Sequence, residues 1–300
     1  MTPEKDVVIV GGGPAGLAAA LNLGRGCKRV LLCDAGPRRN AAAEEMHGFV
    51  SRDGTPPAEF RRIAREQLAP YDVELRDAGV HDVRRNGDGF TVSLTDGAEV
   101  ACRRVLVAIG MVDEIPDLPG IRELWGHSIF QCPYCHGWEL RGRPWGILAN
   151  TPALLDFAIF LTGWSSNVTA FTNGPVEIAD DLRQRLETAG VVVEPRRIAR
   201  LVPGSAGRLR TIELTDGAAV SCEAMVMRPP QRQPALVTRL GLALDDAGYV
   251  RVDGREETSV PGIYAAGDLT SPVQAATLAA AAGTRAAWSI NHELNVASRS

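Results

Sequence analysis

The chain has 300 residues, of which 45% are hydrophobic, and it carries a formal net charge of −4 at pH 7. These values allow two domains with cores of ordinary size and exclude the basic surface that nucleic-acid binders need. No apolar run reaches the ~18 residues of a membrane span, and the acidic N-terminal residues run directly into a strand pattern with no secretory signal. We therefore expect a cytoplasmic protein with no membrane or nucleic-acid partner.

The first predicted elements have the order of a dinucleotide-binding unit. Apolar residues at 7–10 and the largely apolar run at 29–33 predict two strands, and the alanine- and leucine-rich run 17–23 between them predicts a helix. Asp34 stands at the end of the second strand, where a carboxylate accepts hydrogen bonds from a ribose. This order of strand, turn, helix, strand and acid indicates a nucleotide site, and an empty glycine-rich turn is the weaker interpretation.

The turn between the first strand and the helix carries a glycine motif. Gly11, Gly13 and Gly16 fit G-x-G-x-x-G, with Pro14 and Ala15 inside it. The first glycine permits a tight turn, the second lets the backbone approach a pyrophosphate, and the third lets helix and strand pack closely. Because the helix N-terminus offers free N–H groups, we expect these five residues to bind phosphate.

A faint internal repeat predicts a second unit of the same build. Residues 145–155 align without a gap on residues 7–17. Later, residues 94–102 and 214–222 resemble each other, and both have the Asp-Gly turn of a hairpin. The sequence therefore predicts two domains of similar architecture.

The second copy lacks the glycines and the acid that are expected to bind a nucleotide in the first. Ala149, Thr151 and Leu154 replace the three glycines, and Thr172 replaces the acid. A threonine at the middle position places a Cβ and a hydroxyl where a pyrophosphate should approach, and no arginine cluster follows at 171–181. We expect this unit to bind NAD(P)H poorly or not at all; binding in an unusual pose is the alternative.

Two of the six cysteines form a motif. The other four lie alone in apolar or strand-like segments and are expected to be small buried residues: Cys27, Cys33, Cys102 and Cys222.

Cys132 and Cys135 form C-x-x-C, and Pro133 suits the first position of a helix, so the pair lies at a predicted helix N-terminus. That position lowers thiol pKa values, and His136 can exchange protons near neutral pH. Half of a zinc site is the alternative, but no second ligand pair completes four ligands, so we predict a redox-active pair and no metal.

The C-terminal segment completes a family pattern. Residues 260–268 contain GIYAAGD, a strand followed by a Gly-Asp turn, and a long alanine-rich helix follows. Together with the N-terminal GGGPAG and the C-x-x-C, this motif resembles the low-molecular-weight thioredoxin reductases over nearly the whole chain. The resemblance implies an α/β fold of two Rossmann-like, three-layer domains, the second inserted into the first.

The resemblance also implies domains, a cofactor and an assembly. The FAD-binding domain would be split into 1–115 and 246–300, and the inserted NAD(P)H-domain-like unit, 116–245, would carry the C-x-x-C. Gly267 and Asp268 would contact FAD. Members of the family are homodimers, so a homodimer is expected.

The family further implies a role for each cysteine. Cys135 would face the flavin, and Cys132 would exchange with the substrate. The usual acid after the pair is Asp, whereas this chain has His136 there. A general acid/base role for His136 is therefore an inference from its chemistry and not a match to the family.

Two departures from the reductases narrow the expected function. The forms CPYCHGWE and, at 38–54, RRNAAAEEMHGFVSRDG look more like the flavin-dependent dithiol oxidases that form the disulfides of gliotoxin- and holomycin-type natural products. Those enzymes take two electrons from a dithiol through the C-x-x-C to FAD and pass them to O₂, giving H₂O₂ without NADPH. The same resemblance puts Asn40 and His47 near the flavin, although His47 can also be an ordinary surface histidine.

Three alternatives to the dithiol oxidase stay open. The chain could be a thioredoxin-reductase-like disulfide reductase that takes electrons from a donor such as ferredoxin, or from NADPH in an atypical pose. It could also be non-enzymatic, either a flavin-bound redox sensor without turnover or a structural partner in a complex. The expected partners are a small-molecule dithiol or a small redox protein, with O₂ as electron acceptor.

Overall fold

The computed structural model describes residues 4–36 and 38–296, and within these limits the chain folds into two compact units. The first unit contains the residues up to Ala41, then Pro57–Asp113 and the residues from Gln231 onward. The second contains Ala42–Pro56 and Glu114–Pro230. The chain thus returns to the first unit at Gln231, whereas the sequence placed that return at 246.

The first unit is built around one large sheet. Its strands are β1 Lys5–Val10, β2 Val30–Cys33, β3 Val73–Arg76, β4 Val80–Asn86, β5 Gly89–Leu94, β6 Glu99–Val107 and β17 Ile263–Ala265. Its helices are α1 Pro14–Arg25, α2 Pro57–Glu66, α7 Ala235–Arg239 and α8 Ala276–Val296. The short strands β7 Val112–Asp113 and β16 Gln231–Arg232 pair with each other where the chain leaves and re-enters the unit.

The sheet order is β3-β2-β1-β6-β5-β4, and β17 pairs with β6. The strands β3, β2, β1, β6 and β17 are parallel, and β4 and β5 are added antiparallel. Side chains of β1 alternate between two cores, with Val7 and Ile9 packed against α1 and α8 and with Val8 and Val10 on the opposite face. The carboxyl ends of the parallel strands therefore meet at one edge, where the glycine turn lies.

The second unit contains a smaller parallel sheet and an antiparallel one. Its strands are β8 Ile129–Phe130, β9 Trp145–Leu148, β10 Val168–Phe171, β11 Val192–Glu194, β12 Ile198–Pro203, β13 Leu209–Leu214, β14 Ala219–Ser221 and β15 Ala224–Val226. Its helices are α3 Ile121–Leu124, α4 Pro133–His136, α5 Pro152–Leu161 and α6 Asp180–Thr188. The parallel order is β11-β10-β9-β15-β8, and β12, β13 and β14 form the separate meander.

The internal repeat is real in three dimensions. The strand and helix β9 and α5 are the counterparts of β1 and α1, and both predicted Asp-Gly turns close hairpins, between β5 and β6 and between β13 and β14. The predicted α/β class is confirmed. Within the described residues, no helix has the length and hydropathy needed to cross a membrane.

Candidate functional site

The glycine turn between β1 and α1 has the geometry of a phosphate cradle. Gly11 has φ +109°, and a Cβ there would lie 2.3 Å from the carbonyl oxygen of Ala108, so only glycine fits. A Cβ on Gly16 would lie 1.9 Å from the Gly11 oxygen, which explains the close packing of helix on turn. Gly13 differs, because no described atom lies within 4 Å of its Cβ position. The open space in front of Gly13, at the N-terminus of α1, fits a pyrophosphate.

Asp34 lies buried at the end of β2, as the sequence predicted. Two arginines donate hydrogen bonds to its carboxylate. Its Oδ2 accepts hydrogen bonds of 2.6 Å from Nη2 of Arg38 and from Nη2 of Arg61. Its Oδ1 accepts no hydrogen bond from the described protein, and the Nε atoms of both arginines are buried without a partner there. This cluster leaves one acceptor and two donors for a ligand such as an adenosine ribose.

The sequence interpretation missed both arginines. Arg61 lies on α2. Its guanidinium reaches Asp34 across 27 positions of sequence. The only available signal was the Arg-Arg pair after the β2 acid, and that signal is weak.

The Gly-Asp turn after β17 lies in the same unit. Gly267 has φ +96°, and a Cβ there would meet the Cβ of Ala15 at 3.1 Å. Asp268 accepts a 2.8 Å hydrogen bond from Arg39 at its Oδ2. Burial raises the pKa of the Asp268 carboxyl above its ordinary value, and the charge and hydrogen bond of Arg39 oppose that shift.

These features together fit FAD. The turn at Gly13 would face the pyrophosphate, Asp34 would accept from the adenosine ribose, and Asp268 would accept from the ribityl chain. No cluster of metal-ligating side chains is found in the described part of the chain.

The cysteine pair lies in the second unit and begins α4. Cys132 is the N-cap, in extended backbone, and Pro133 occupies the first helical position, as predicted. Cys132 and Cys135 form a disulfide with their Cα atoms 5.3 Å apart. Since α4 is a single turn, the helix-dipole contribution to thiolate stability is that of one turn only.

The α4 turn is seated on aromatic side chains. A Cβ on Gly137 would lie 2.7 Å from Cδ1 of Trp164, so a glycine is needed for this close seating. Tyr134, between the cysteines, packs edge-on against Trp164 with centroids 5.3 Å apart. Trp145, stacked on Trp164, is buried and donates its Nε1–H to the Leu140 oxygen. These contacts fix the backbone that carries the disulfide.

His136 ends α4 with its ring stacked on Phe130 at a centroid distance of 5.0 Å. Neither ring nitrogen is exposed, and neither has a hydrogen-bond partner of normal geometry in the described chain. Burial lowers the pKa of His136 below 6.5, helped by the charges of His47 and His127 and opposed by the Gly126 backbone and Glu139. The imidazole is therefore neutral near pH 7 and has a nitrogen available as proton acceptor.

A cavity adjoins His136 within the second unit. It is lined by Glu44, Glu45, His47, Gly126, His127, His136, Glu139, Leu140 and Arg208. The imidazole and carboxylate groups of this lining can accept protons from His136 and return them.

His47 belongs to this group. Its Nε2 lies 3.4 Å from a Glu45 oxygen and 3.7 Å from a Glu139 oxygen, and its Nδ1 lies 3.5 Å from Asp53. His47 is thus a half-buried pocket residue and not the ordinary surface histidine of the alternative interpretation. Asn40 is exposed in the first unit. For both residues, proximity to the flavin stays a prediction.

In the second nucleotide-like turn, a threonine side chain caps the following helix. Thr151 is the N-cap of α5, the place that Gly13 takes on α1, and its Oγ1 accepts a 3.3 Å hydrogen bond from the Leu154 N–H. Thr172, in the place of Asp34, is buried and donates to the Gly174 oxygen at 2.5 Å. The side-chain oxygens of Thr151 and Thr172 each take part in a hydrogen bond within the protein.

The isolated cysteines divide into two kinds. Cys33, Cys102 and Cys222 are buried, and burial raises the pKa of each thiol to about 12. Cys27 is exposed, so the expectation that all four are buried was wrong. It follows the end of α1 with φ +58°, in the turn before β2.

Comparison with known proteins identifies the family. A family model described as pyridine nucleotide-disulphide oxidoreductase matches residues 5–283. The chain belongs to this family. It is 36% identical to thioredoxin reductase tcpT of Claviceps purpurea (strain 20.1), with 88% of this chain and 86% of that protein covered. It is 32% identical to thioredoxin reductase sirT of Leptosphaeria maculans, with 96% and 94% covered.

A solved structure is also similar to this chain over most of its length. The crystal structure of HlmI superposes with a TM-score of 0.93 at 38% identity, over 98% of this chain and 95% of that one. The resemblance predicted from the sequence is confirmed, and so are the two-domain Rossmann-type fold and the assignment as an FAD-dependent thiol–disulfide oxidoreductase.

Proposed function

We propose that this oxidoreductase is a dithiol oxidase, which converts a small-molecule dithiol to a disulfide with O₂ as electron acceptor. The observation that carries the proposal is the contrast between the two turns. The first leaves Gly13 open to a phosphate, and the second is capped by Thr151. A flavin site in one unit without an NADPH site in the other suits an enzyme that takes electrons from its thiol substrate.

The cysteine pair performs the thiol chemistry. A substrate thiolate attacks Sγ of Cys132, which breaks the bond to Cys135 and forms a mixed disulfide. The second substrate thiolate then attacks the substrate sulfur of that mixed disulfide, closes the product disulfide and releases Cys132 as thiolate. The two electrons of the substrate are now held by Cys132 and Cys135.

His136 handles the protons of these steps. Because its ring is neutral and has an unpartnered nitrogen, it can accept a proton from a substrate thiol and make the attacking thiolate. Bound FAD would supply the acceptor for the electron pair of the reduced cysteines and its transfer to O₂, with H₂O₂ as the second product.

NADPH is not expected to bind in the second unit. A pyrophosphate there would have to displace the hydroxyl of Thr151 from the N-terminus of α5, and Thr172 offers no carboxylate to a ribose. The homodimer and the cytoplasmic location stay predictions.

The deciding experiment is anaerobic bleaching of the flavin band at ~450 nm. NADPH, NADH and a small dithiol are added in turn to the holoenzyme, and air is then admitted. We expect bleaching by the dithiol alone, with recovery and H₂O₂ release in air.

Other results would identify another function. Fast bleaching by NADPH would show a pyridine-nucleotide-dependent reductase; the relatives in Claviceps and Leptosphaeria are named thioredoxin reductases. Bleaching by reduced ferredoxin alone would show a reductase with that donor. A single dithiol exchange without continued O₂ consumption would indicate a redox sensor.

A further inference from the structure

Arg39 occupies the centre of a hydrogen-bond network in the first unit. Its Nε donates to Oδ2 of Asp113 at 2.7 Å and its Nη2 to Oδ1 at 2.9 Å, a two-point pairing of guanidinium and carboxylate. Its Nη1 donates to Oδ2 of Asp268 at 2.8 Å and to Oε1 of Gln274 at 2.6 Å. The Arg39 side chain thus joins its own loop to Asp113 of β7 and to the 268–274 segment, which are distant from it in sequence.

Two glutamines close the network. Gln231 donates to Asp113 at 2.9 Å, and its amide exchanges hydrogen bonds of 3.1 and 2.9 Å with Gln274. Gln274 also donates to the backbone oxygen of Asp268 at 3.3 Å. Asp113 and Gln231 are opposite each other in the β7–β16 pair, so the network connects the Gly-Asp turn to the strands on which the chain leaves and re-enters the unit.

The network leaves half of the Asp268 carboxylate available. Oδ2 is held by Arg39, and Oδ1 accepts no hydrogen bond from the described protein. A buried carboxylate without a cationic partner tends to take up a proton and to rotate, because the charged form is poorly solvated. Arg39 keeps the group ionised and, through its pairing with Asp113, keeps it in one orientation.

We propose that Arg39 is a positioning residue for the flavin: it orients Asp268 so that the Oδ1 atom receives a hydroxyl of the ribityl chain. Asp113 and Gln274 hold the guanidinium in turn. This inference concerns cofactor binding, so it holds in either direction of electron flow and does not depend on the dithiol oxidase.

The test is the dissociation constant of FAD, measured from the flavin fluorescence released when the full-length holoenzyme is diluted. Arg39→Met keeps the length of the side chain and removes its charge, and we expect Kd to rise by about 10- to 100-fold. Arg39→Lys keeps a charge without the two-point pairing and should raise Kd several-fold. Arg239→Met, an exposed arginine on α7 of the same unit, is the matched control and should leave Kd unchanged.

The pH dependence separates positioning from general stability. Without Arg39, the charge that opposes the raised pKa of the Asp268 carboxyl is gone, so over the measured interval from pH 8 down to pH 5 this group takes up a proton more readily than in the wild type. The FAD affinity of Arg39→Met should therefore fall in that interval more steeply than that of the wild type. A purely structural role would lower affinity equally at every pH.

Three results would overturn the proposal. One is an Arg39→Met protein with a Kd within twofold of the wild type. Another is a loss of affinity in that variant that is the same at pH 5 and pH 8. The third applies if Arg39→Met does not fold: Arg39→Lys is then the test, and a Kd for FAD in that variant equal to the wild-type value would overturn the proposal.

Discussion

His136 combines two properties that a proton acceptor at a cysteine pair needs. Its pKa is lowered below 6.5 by burial, and neither ring nitrogen has a hydrogen bond of normal geometry within the described chain. A group with a lowered pKa is in its neutral, accepting form above 6.5 and loses that form as the pH falls through the lowered pKa. The rate of dithiol oxidation should consequently decrease through protonation of His136 only below pH 6.5.

His136→Gln should lower the rate of flavin reduction by a dithiol about 10²- to 10⁴-fold. The rate is measured anaerobically in stopped flow from pH 5 to 9. The ratio of wild type to variant cancels the titration of the substrate thiols, and that ratio should fall toward the acid end. His81→Gln, an exposed histidine of the first unit, is the control. A ratio independent of pH would remove the proton-acceptor role.

The disulfide itself is tested by Cys132→Ser and Cys135→Ser. Both variants should bind FAD like the wild type, because the flavin-binding groups lie in the first unit, and both should lose dithiol oxidation. O₂ consumption and the flavin absorbance are measured on the same samples, with Cys27→Ser as the active control. Normal turnover by either variant would show that the pair is not the reaction centre.

Thiol reactivity distinguishes the remaining cysteines. Three are buried with thiol pKa values raised to about 12, so their thiolate fraction at pH 8 is negligible, whereas Cys27 is exposed. In the native protein with its disulfide intact, a chromogenic disulfide reagent should titrate one thiol per chain rapidly. Cys27→Ser should reduce that count to zero, and unfolding should reveal the others. A second fast thiol in the native protein would contradict the assigned burial.

At the scale of elements, the packing of α8 on α1 includes a close backbone approach at Gly283. A Cβ on Gly283 would lie 2.0 Å from the backbone oxygen of Ala15, inside the phosphate-binding end of α1. Ala15 also touches the space beside Gly267, so both FAD motifs meet at this contact. The small residues of α8 therefore determine how closely the two halves of the nucleotide-binding region approach.

Gly283→Ala measures this contact. Helix propensity alone would stabilise α8 by about 1 kcal/mol, whereas overpacking costs about 1–3 kcal/mol, so the clash should prevail and lower Tm. Gly254→Ala is the control, because no described atom lies within 4 Å of its Cβ position. Thermal unfolding followed by circular dichroism gives both values. A Tm for Gly283→Ala at or above that of the wild type would show that the helices can separate without cost.

Local patterns were sufficient for the elements and for part of the site. The G-x-G-x-x-G turn, the C-x-x-C at a helix start and the Asp-Gly hairpins depend on neighbours within a few residues, so the sequence predicted them. The partners of Asp34 and Asp268 could not be predicted, because Arg61 and Arg39 reach them across 27 and 229 positions. Membership of the 42–56 segment in the second unit likewise depends on tertiary packing, and that segment brings His47 to the His136 cavity.

At the scale of the molecule, the two units divide the chemistry. The groups that fit FAD belong to the first unit, and the disulfide, His136 and the capped turn at Thr151 belong to the second. Both copies of the repeat have the fold, whereas the glycine motif and the acid are present in the first copy and are replaced in the second. Such a division predicts that a dinucleotide stabilises the first unit and leaves the turn of the second unchanged.

Hydrogen exchange of the full chain tests this division in one experiment. A ligand at about 100 times its Kd stabilises the binding state by about 2.7 kcal/mol, which slows exchange by up to about 100-fold where opening requires release of the ligand. FAD should give such protection at residues 11–16 and 267–270. Excess NADPH should leave residues 148–155 as they are in its absence, since Thr151 already caps α5. Protection of 148–155 by NADPH would refute the inactive second site, and the FAD-protected turn in the same sample shows that the assay can detect a bound dinucleotide.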